Sequence, residues 1–509
     1  MVVVPLETKP NSWTSSDIKF KNYSHFDAPI RTKDVVDLVT DSKKVAQHTF
    51  FPFLHFEESY QPYRNIRLPR RDPKLRPIRY AARGDSYIYS KYRFGLSKLY
   101  EAELKKRNLG EVVSAYRKVN LGKDSKKNKS NIDFAKDVFD KIKTFEDCIV
   151  VTADISSYFE TIDHERLTAK VKELLGCDEL PLDWAAVLRN LTNYRYMSYK
   201  EVCRLTGYFG PNDEDGYNTR RKEMPKQICS IDRYRELVKV ILPDGKRLLQ
   251  KNENRFGIPQ GAPLSDLLAN LYLIDFDERI NAIVGELGGM YCRYSDDIIL
   301  VIPNSEVLKT KSVEKILQEN IQFEGKQLKI KPEKCASLHY FVENGKLTFK
   351  PLTEYERQER ECLNFPFETV TRFRMNNGLE YLGFRFDGQK VFLKDKTLSN
   401  LKRKIRRNAW RYAYKHVHDY RHLALPEIIK LIDIETFFQK FGKVKDFQKL
   451  QEMSDSLKYK SWTFTTYAKR ASATFGQEGR PILKQIKSCK KFAENDLIGK
   501  VIKVHATKN

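Results

Sequence analysis

The chain has 509 residues and a formal net charge of +25, from 92 Lys and Arg against 67 Asp and Glu. Its length is that of roughly three domains, and an apolar share of 41% with 12% aromatic residues excludes a disordered chain. The positive excess favours a polyanionic partner, most simply nucleic acid, over a small metabolite.

The sequence excludes several other classes of protein. It contains no apolar run of about 18 residues, so we expect no membrane span. Its first residues lack the apolar segment of a signal peptide, so we expect a cytoplasmic protein. The eight cysteines are scattered without a C-x-x-C pair, which excludes a zinc ribbon and a disulfide scaffold and fits a reducing compartment.

The first predicted elements are two basic loops and a helix. Residues 64–79 hold seven basic residues and one acid, and their prolines predict an extended loop or hairpin. Residues 117–130 form a second basic loop. Residues 130–143 predict a helix capped by Ser130 or Asn131. Its apolar face comprises Ile132, Ala135, Val138, Phe139 and Ile142.

Three strands and two helices are predicted next. Residues 148–155 read as a short buried strand, residues 263–283 as a helix, and residues 290–302 as strand, turn and strand. Residues 398–415 predict a helix with seven basic residues and no acid. We expect Ile405 and Trp410 of this helix in a core, and Tyr412 and Tyr414 beside its basic residues. The sequence after residue 395 is mainly helical in pattern.

Three aspartates are the candidate catalytic residues. Taken alone, Asp296 and Asp297 are typical of a solvated turn between two apolar runs. Asp154 ends a strand, where alone it could equally cap the next turn. Together, the three carboxylates make a cluster that suits Mg²⁺ and two-metal phosphoryl transfer. In that reaction one ion activates a hydroxyl and the other neutralises the leaving pyrophosphate.

Several short motifs, in their order along the chain, resemble those of reverse transcriptases. They are residues 76–79 (RPIR, fingers motif, with Asp85 downstream), 154–159 (DISSYF, motif A), 257–265 (GIPQGAPLS, motif B), 294–297 (YSDD, motif C), 328–334 (LKIKPEK, motif D) and 381–384 (YLGF, motif E). A single Y-x-D-D box can occur by chance, but the set in the family's order cannot. The resemblance covers about residues 60–395.

The resemblance implies roles for residues of motifs A and B. Phe159 would be the steric gate whose ring excludes a ribose 2′-hydroxyl and so favours deoxynucleotides; the alternative is a core phenylalanine after a strand. Gly261, without a Cβ, would let the backbone approach the nascent base pair closely. Gln260 would hydrogen-bond near the template or the incoming base; the alternative is a turn residue.

The resemblance also implies the nucleotide clamp and the metal ligands. The triphosphate would be held by Arg76 and Arg79, with Arg70, Arg71 or Lys74; the alternative is a solvated basic loop. Two Mg²⁺ ions, with Mn²⁺ as a substitute, would be held by Asp154, Ile155, Asp296 and Asp297. Ile155 and Tyr294 would also contact the nucleotide. Lys334 would donate a proton to pyrophosphate; the alternative is a surface lysine.

The implied fold is α+β: a right-hand polymerase with fingers, a ferredoxin-like palm and a thumb, followed by a mainly α-helical C-terminal region. We expect an N-terminal extension over residues 1–60, fingers and palm over 61–395, and a helical thumb or C-terminal domain over 396–509. Three nearby histidines in this last region have no metal-ligand spacing, so we expect no metal there: His416, His418 and His422.

Residues 114–118 (SAYRK) and 130–136 (SNIDFAK) resemble the bacterial defence-associated reverse transcriptases, including the abortive-infection enzymes. This implies a homo-oligomer that uses dNTPs, makes DNA, and works with an RNA template, with a non-coding RNA or without a template. The primer would be a 3′-hydroxyl or a tyrosine hydroxyl; Tyr87, Tyr89 and Tyr92 are candidates like any others. The alternatives are an RNA-templated enzyme of a retron or mobile intron, a non-catalytic nucleic-acid-binding relative, and an RNA chaperone of the intron-maturase kind.

Overall fold

The computed structural model describes residues 13–60, 74–122, 127–208, 224–304, 313–330, 335–352, 378–439, 441, 463–487 and 489–507. It contains both helices and strands. The strands are β1 (Phe53–Tyr60), β2 (Lys74–Tyr80), β3 (Cys148–Asp154), β4 (Arg195–Ser198), β5 (Leu249–Lys251), β6 (Met290–Tyr294), β7 (Asp297–Pro303), β8 (Ala336–Glu343), β9 (Lys346–Pro351), β10 (Leu379–Tyr381), β11 (Phe384–Phe386) and β12 (Val391–Leu393).

The helices lie before, between and after these strands. They are α1 (Thr32–Thr40), α2 (Ser42–Ala46), α3 (Arg83–Lys106), α4 (Asn131–Phe145), α5 (Tyr158–Thr161), α6 (His164–Leu175), α7 (Leu182–Thr192), α8 (Tyr199–Leu205), α9 (Ile231–Lys239), α10 (Ser265–Tyr272), α11 (Ile274–Glu286), α12 (Val313–Gln322), α13 (Asp395–Asp419), α14 (Leu425–Lys430), α15 (Ile434–Gln439), α16 (Phe464–Phe475), α17 (Arg480–Lys487) and α18 (Cys489–Ala506). A short 3-10 helix covers Ser15–Asp17.

The chain divides into two compact units, each made of several segments. The first comprises Met1–Arg117, Thr152–Leu300 and Lys311–Cys335, and the second comprises Lys118–Val151, Val301–Thr310 and Ala336–Asn509. The boundary falls inside β3 and β7. The ends of these two strands that carry Asp154 and Asp297 therefore both belong to the first unit.

The first unit contains a four-stranded sheet in the order β2-β1-β4-β5. Strand β1 pairs antiparallel with β2, which sets Glu58 opposite Arg76, and parallel with β4. Helix α3 is buried along its first turns, and every residue of α10 except Asp266 is buried.

A second sheet has the strand order β6-β7-β3-β8-β9. Strand β3 reads CIVVTAD, and its first four residues are all buried. Strand β7 likewise has five buried residues in succession after Asp297. β-Branched residues covered on both faces explain why these central strands form as continuous apolar runs.

The second unit contains a three-stranded sheet, β10-β11-β12, together with α4 and helices α13 to α18. Helix α13 packs against α18. Its buried hydrophobic residues recur every four positions: Leu401, Ile405, Ala409, Ala413 and Val417. Residues four apart lie on one face of a helix, so the spacing aims this row at α18.

Most element predictions are confirmed. Helix α4 begins after Ser130, whose backbone N–H bonds Asp133 Oδ2 at 2.7 Å, and the five residues of its expected apolar face are all buried. Strand β3 and the β6–β7 hairpin occur where predicted. The single helix expected over residues 263–283 is instead α10 and α11, which are separated at Leu273.

Of the two α13 residues expected in a core, one is buried and the other is exposed. Ile405 is fully buried, but Trp410 is 37% exposed, so the prediction that it packs in the core is wrong. The reason is its position on the helix: Trp410 follows the buried Ala409 by one residue and so turns about 100° away from that row. Among the described residues, no helix is long and apolar enough to cross a membrane.

Candidate active site

The structure brings Asp154 and Asp296 together. Asp154 is the last residue of β3, and Asp296 lies in the turn between β6 and β7. The backbone N–H of Ile155 donates to the carbonyl oxygen of Asp296 at 3.1 Å. The neighbouring order of β3 and β7 therefore places a strand end beside a hairpin turn, as the motifs predict.

A buried ion pair stabilises the turn that carries Asp296. Arg293 is fully buried and bonds Asp277, also fully buried, at 2.6 Å. The same guanidinium donates to the carbonyl oxygen of Ser295 at 3.0 Å. Because a buried guanidinium without partners would be costly, this pairing fixes the turn immediately before Asp296.

The electrostatics of the site follow from its two close carboxylates. Burial and the negative charge of Asp154 raise the pKa of Asp296 above its ordinary value, while Arg76 and a hydrogen bond from Ser295 oppose the rise. Two carboxylates that lie close together repel each other, and a divalent cation bound between them would relieve that repulsion. Carboxylate oxygens are also the ligands that such cations prefer.

Asp297 directly follows Asp296 in the chain. It is exposed and begins β7. Among the residues that the structure describes, no group of three or more Asp, Glu, His or Cys side chains is arranged to hold a metal ion. The side chains of Asp154 and Asp296 fit a divalent cation by type and proximity, and the third carboxylate of the predicted cluster is its immediate neighbour in sequence.

Motif A continues from Asp154 into contacts with two other predicted motifs. Ile155, which is buried, forms an isolated bridge with Ile330, and the N–H of Ser156 donates to the Lys329 carbonyl at 3.0 Å. Phe159 is half-buried, and its carbonyl accepts the N–H of Ile258 at 2.8 Å. Motifs A, B and D therefore meet around the strand end, with the side chain of Phe159 partly open to solvent.

Gly261 is where motif B approaches strand β2. Its φ is +123°, and a Cβ at this position would lie 2.7 Å from the carbonyl oxygen of Arg79. The N–H of Arg79 donates to the carbonyl of Gln260 at 2.9 Å. The close backbone approach that only glycine allows is thus made here to Arg79.

The two arginines of the predicted clamp have different surroundings. Arg76 is exposed and lies close enough to Asp296 to affect its pKa. Arg79 is buried, pairs with Glu160 at 2.6 Å and stands over the Tyr194 ring at 4.9 Å. Arg76 is therefore placed to meet an anion beside Asp296, whereas the guanidinium of Arg79 is engaged inside the first unit.

The remaining predicted residues are placed as follows. Tyr294 is half-buried, and burial raises the pKa of its hydroxyl. Lys334, Arg70 and Arg71 lie outside the described residues, as does the side chain of Lys74. Asp85 is buried and accepts the N–H of Phe51 at 3.0 Å, which is a structural contact in the first unit.

The candidate priming tyrosines on α3 are buried. Tyr87, Tyr89 and Tyr92 are 4%, 0% and 3% exposed. The hydroxyls of Tyr89 and Tyr92 donate to Asn190 and Asp183. A hydroxyl used in this way is not available to accept a nucleotide.

The basic helix α13 belongs to the second unit. Between residues 402 and 415 its exposed residues are Lys402, Arg403, Lys404, Arg406, Arg407, Trp410, Arg411, Tyr414 and Lys415. The rings of Trp410 and Tyr414 stack with centroids 5.8 Å apart, and Lys500 stands 4.7 Å from the Trp410 centroid. His416 is buried, and its Nε2 lies 2.9 Å from the carbonyl oxygen of Ile428.

Sequence reasoning missed three residues near the turn: Arg293, Ser295 and Tyr116. The hydroxyls of Tyr116 and Ser295 lie 3.2 Å apart. Residues 114–118 stand out in the sequence, but nothing in that run shows that it lies beside a segment nearly 180 residues later. The position of Arg293 directly before the YSDD box is the one available signal.

Comparisons with known proteins agree with the motifs. The family model described as "Reverse transcriptase (RNA-dependent DNA polymerase)" matches residues 222–386. This span holds Gly261, Asp296 and Asp297, whereas Asp154 precedes it. A comparison with curated proteins finds no match.

Among solved structures, telomerase from Candida albicans in complex with a fragment of telomeric RNA is 12% identical, with a TM-score of 0.32, over 91% of this chain and 65% of that chain. Truncated apo telomerase from Candida tropicalis is 11% identical, with a TM-score of 0.35, over 71% of this chain and 60% of that chain. The chain thus spans less than two thirds of either structure, and these scores assign neither a fold nor an activity. On its family match, the chain contains a reverse-transcriptase-type polymerase domain.

Proposed function

We propose that the protein is a DNA polymerase of the reverse-transcriptase type, which adds dNTPs to a hydroxyl and releases pyrophosphate. The single observation that carries this proposal is the pair Asp154 and Asp296, which two separate motifs bring to one half-buried point. The family match over residues 222–386 supports it independently.

The residues around this pair have distinct roles in the proposal. Asp154, Asp296 and Asp297, with the backbone of Ile155, would hold two Mg²⁺ ions, or Mn²⁺ in their place. When bound, these ions supply activation of the attacking hydroxyl and neutralisation of the leaving pyrophosphate. Arg76 would hold the triphosphate of the incoming nucleotide, since it is exposed beside Asp296.

Further residues would set the choice of substrate. Phe159, half-buried and close to Ile258 of motif B, would meet the sugar; Gln260 and Tyr294 would border the base pair. Gly261 would keep motif B seated on β2, and Arg79 would act through its pair with Glu160 as a support for the same loop. Lys334 remains proposed as the proton donor to pyrophosphate.

We also propose a right-hand arrangement with an N-terminal extension over residues 1–60, fingers and palm over 61–395, and a thumb or C-terminal domain over 396–509. Nucleic acid would be the partner of α13. The exposed basic residues and the stacked Trp410–Tyr414 pair support this, because cations neutralise phosphates and aromatic rings stack on bases.

The finer biological role rests on the resemblance of residues 114–118 and 130–136 to defence-associated enzymes. We propose a bacterial, cytoplasmic homo-oligomer that acts against phage. Burial of Tyr87, Tyr89 and Tyr92 disfavours these three as primers and leaves a 3′-hydroxyl or another tyrosine. A plaque assay with the wild type and the Asp296→Ala variant tests the role; equal plaque counts would contradict it.

The biochemical proposal is tested with the pure, nuclease-treated full chain. It is incubated with Mg²⁺ and each labelled dNTP, first alone and then with an RNA template and DNA primer, and the products are run on a denaturing gel with and without protease. Incorporation in either arm supports a polymerase. A labelled protein-sized band that protease releases indicates protein priming, and no incorporation in any arm contradicts the proposal.

A further inference from the structure

Tyr116 lies at the turn that carries Asp296. Its hydroxyl and that of Ser295 are 3.2 Å apart. Ser295 directly precedes Asp296 in this turn, and its side chain is among the influences that lower the pKa of the Asp296 carboxyl. The hydroxyl of Tyr116 therefore contacts the residue next to a candidate metal ligand.

Both hydroxyl-bearing residues have strained backbones. The φ of Tyr116 is +62° and that of Ser295 is +61°. A non-glycine residue in this left-handed region costs free energy and persists where the surrounding structure fixes it, commonly at functional sites. Tyr116 and Ser295 both have this conformation, their side chains are in contact, and Ser295 is the residue directly before Asp296. This combination indicates that the surrounding structure holds the two residues in place for a functional reason.

The surrounding structure fixes both residues through one buried network. Arg293 donates to the carbonyl of Ser295 at 3.0 Å and to Asn270 Oδ1 at 3.2 Å. Asn270 in turn donates to the carbonyl of Ala115 at 2.8 Å. The backbones on either side of the Tyr116–Ser295 bond are therefore tied to the same fully buried Arg293.

Tyr116 itself is not a core residue. Its side chain is 41% exposed, and the charged groups Asp296, Asp266 and Arg76 surround its hydroxyl closely enough to influence it. Arg93 also donates to the carbonyl of Tyr116 at 3.0 Å. Because its side chain is exposed to this extent, Tyr116 contributes little to core packing. We therefore look for its role in the contact between its hydroxyl and Ser295.

We propose that Tyr116 is a positioning residue of the polymerase site: through Ser295 it holds the Asp296 carboxylate in the orientation that binds a divalent cation. The inference rests on the proposed function for its kinetic consequence, and on the contact between Tyr116 and Ser295 in the turn before Asp296 for its effect on cation binding. Tyr116 acts through Ser295 and does not contact the reacting atoms.

The experiment compares Tyr116→Phe, which keeps the ring and removes the hydroxyl, with Tyr23→Phe as a matched control. Tyr23 lies in the same unit and also bonds a serine hydroxyl, Ser86 Oγ at 2.7 Å, away from the turn. Two properties of each full-length variant are measured: Mn²⁺ binding by titration, and kcat and KM for dNTP incorporation. From the usual strength of one hydrogen bond, Tyr116→Phe should weaken Mn²⁺ binding about fivefold and lower kcat about fivefold. Its KM should change less than twofold, and Tyr23→Phe should leave all three values unchanged.

Ser295→Ala and the double variant complete the test. If Tyr116 acts through Ser295, Ser295→Ala should weaken Mn²⁺ binding at least as much as Tyr116→Phe, and the double variant should be no worse than Ser295→Ala alone. Three results would each overturn the inference. The losses in Mn²⁺ affinity of the two single variants could multiply in the double variant, Tyr116→Phe could bind Mn²⁺ as tightly as the wild type, or the wild type could bind no Mn²⁺. A wild type that binds Mn²⁺ but incorporates no dNTP would remove the proposed function, and the Mn²⁺ affinities would still decide the role of Tyr116.

Discussion

Gly261 shows how a single missing Cβ shapes the site. Its φ of +123° and the 2.7 Å gap between a built Cβ and the Arg79 carbonyl leave no room for a side chain. Both conditions arise from motif B lying directly on β2. The neighbour is backbone, so it cannot move aside as the end of a flexible side chain could.

Gly261→Ala should therefore lower both stability and activity. Strain at such a position costs on the order of 1–3 kcal/mol, and displacement of the loop should lower dNTP incorporation more than tenfold. Gly285→Ala, where a Cβ meets nothing within 4 Å, is the control and should be neutral or stabilising by up to about 1 kcal/mol. Equal unfolding free energies of the two variants by denaturant titration would contradict this account.

His25 is the clearest pH-sensitive group of the fold. It is fully buried, and its Nδ1 accepts the N–H of Phe26 at 2.9 Å. Burial lowers the pKa of His25 to about 3, whereas in the unfolded chain it is about 6.5. Between these values the unfolded state binds more protons, so stability should fall as the pH falls, by up to about 1.4 kcal/mol per pH unit.

The His25→Gln variant removes the group that binds this extra proton in the unfolded chain. Its unfolding free energy should therefore fall less steeply than that of the wild type between pH 6.5 and 4, and the two curves should run parallel above pH 7. Denaturant titration at several pH values measures both slopes. Parallel curves across the whole range would show that His25 does not titrate in this window.

At the scale of the element, helix α13 has one buried apolar face and one exposed basic face. One face carries Leu401, Ile405 and three further residues at four-residue spacing and packs on α18. The other carries the basic residues with Trp410 and Tyr414. The four-residue spacing determines which face is buried, and the exposed face is the one that we propose binds nucleic acid.

Substitutions on the two faces should have different effects. Ile405→Ala should lower the free energy of unfolding by about 2–5 kcal/mol, because it leaves a cavity in a packed core. Trp410→Ala should change stability much less and should weaken binding of single-stranded RNA by roughly tenfold, the effect of one lost stacking contact. Fluorescence anisotropy with a labelled RNA and thermal unfolding separate the two; equal RNA affinity of Trp410→Ala and wild type would remove α13 as a binding surface.

At the scale of the whole molecule, features that depend on neighbouring residues in the sequence are predicted correctly. Helix α4, with its Ser130 cap and apolar face, and the β6–β7 hairpin follow from patterns within about 15 residues. The convergence of Asp154 and Asp296 was predictable only through the motifs, because β3 and β7 are separated by more than 140 residues. The exposed position of Trp410 could have been read from its spacing relative to Ile405.

Other features arise from packing between distant segments. Gly261 lies against Arg79, and Tyr116 lies against Ser295, in each case through contacts that neither segment specifies alone. The buried Arg293 has its partner Asp277 on a different element. Such pairs depend on the register of one element against another, which hydrophobic periodicity does not report.

The net charge of +25 is also a property of the whole chain. It favours association with a polyanion and makes that association weaker as salt rises. It does not by itself distinguish a polymerase from a protein that only binds nucleic acid. The carboxylates make that distinction, because they repel nucleic acid unless a cation lies between.

The most direct test of the central claim is Mg²⁺-dependent incorporation of labelled dNTP by the wild type, Asp154→Asn and Asp296→Asn. Asp232→Asn, an exposed acid on α9, is the control. We expect either active-site variant to lose incorporation by at least a hundredfold, while its thermal unfolding and that of the control remain close to wild type. Incorporation by Asp154→Asn or Asp296→Asn at the level of the control would contradict the assignment of these carboxylates as one catalytic site.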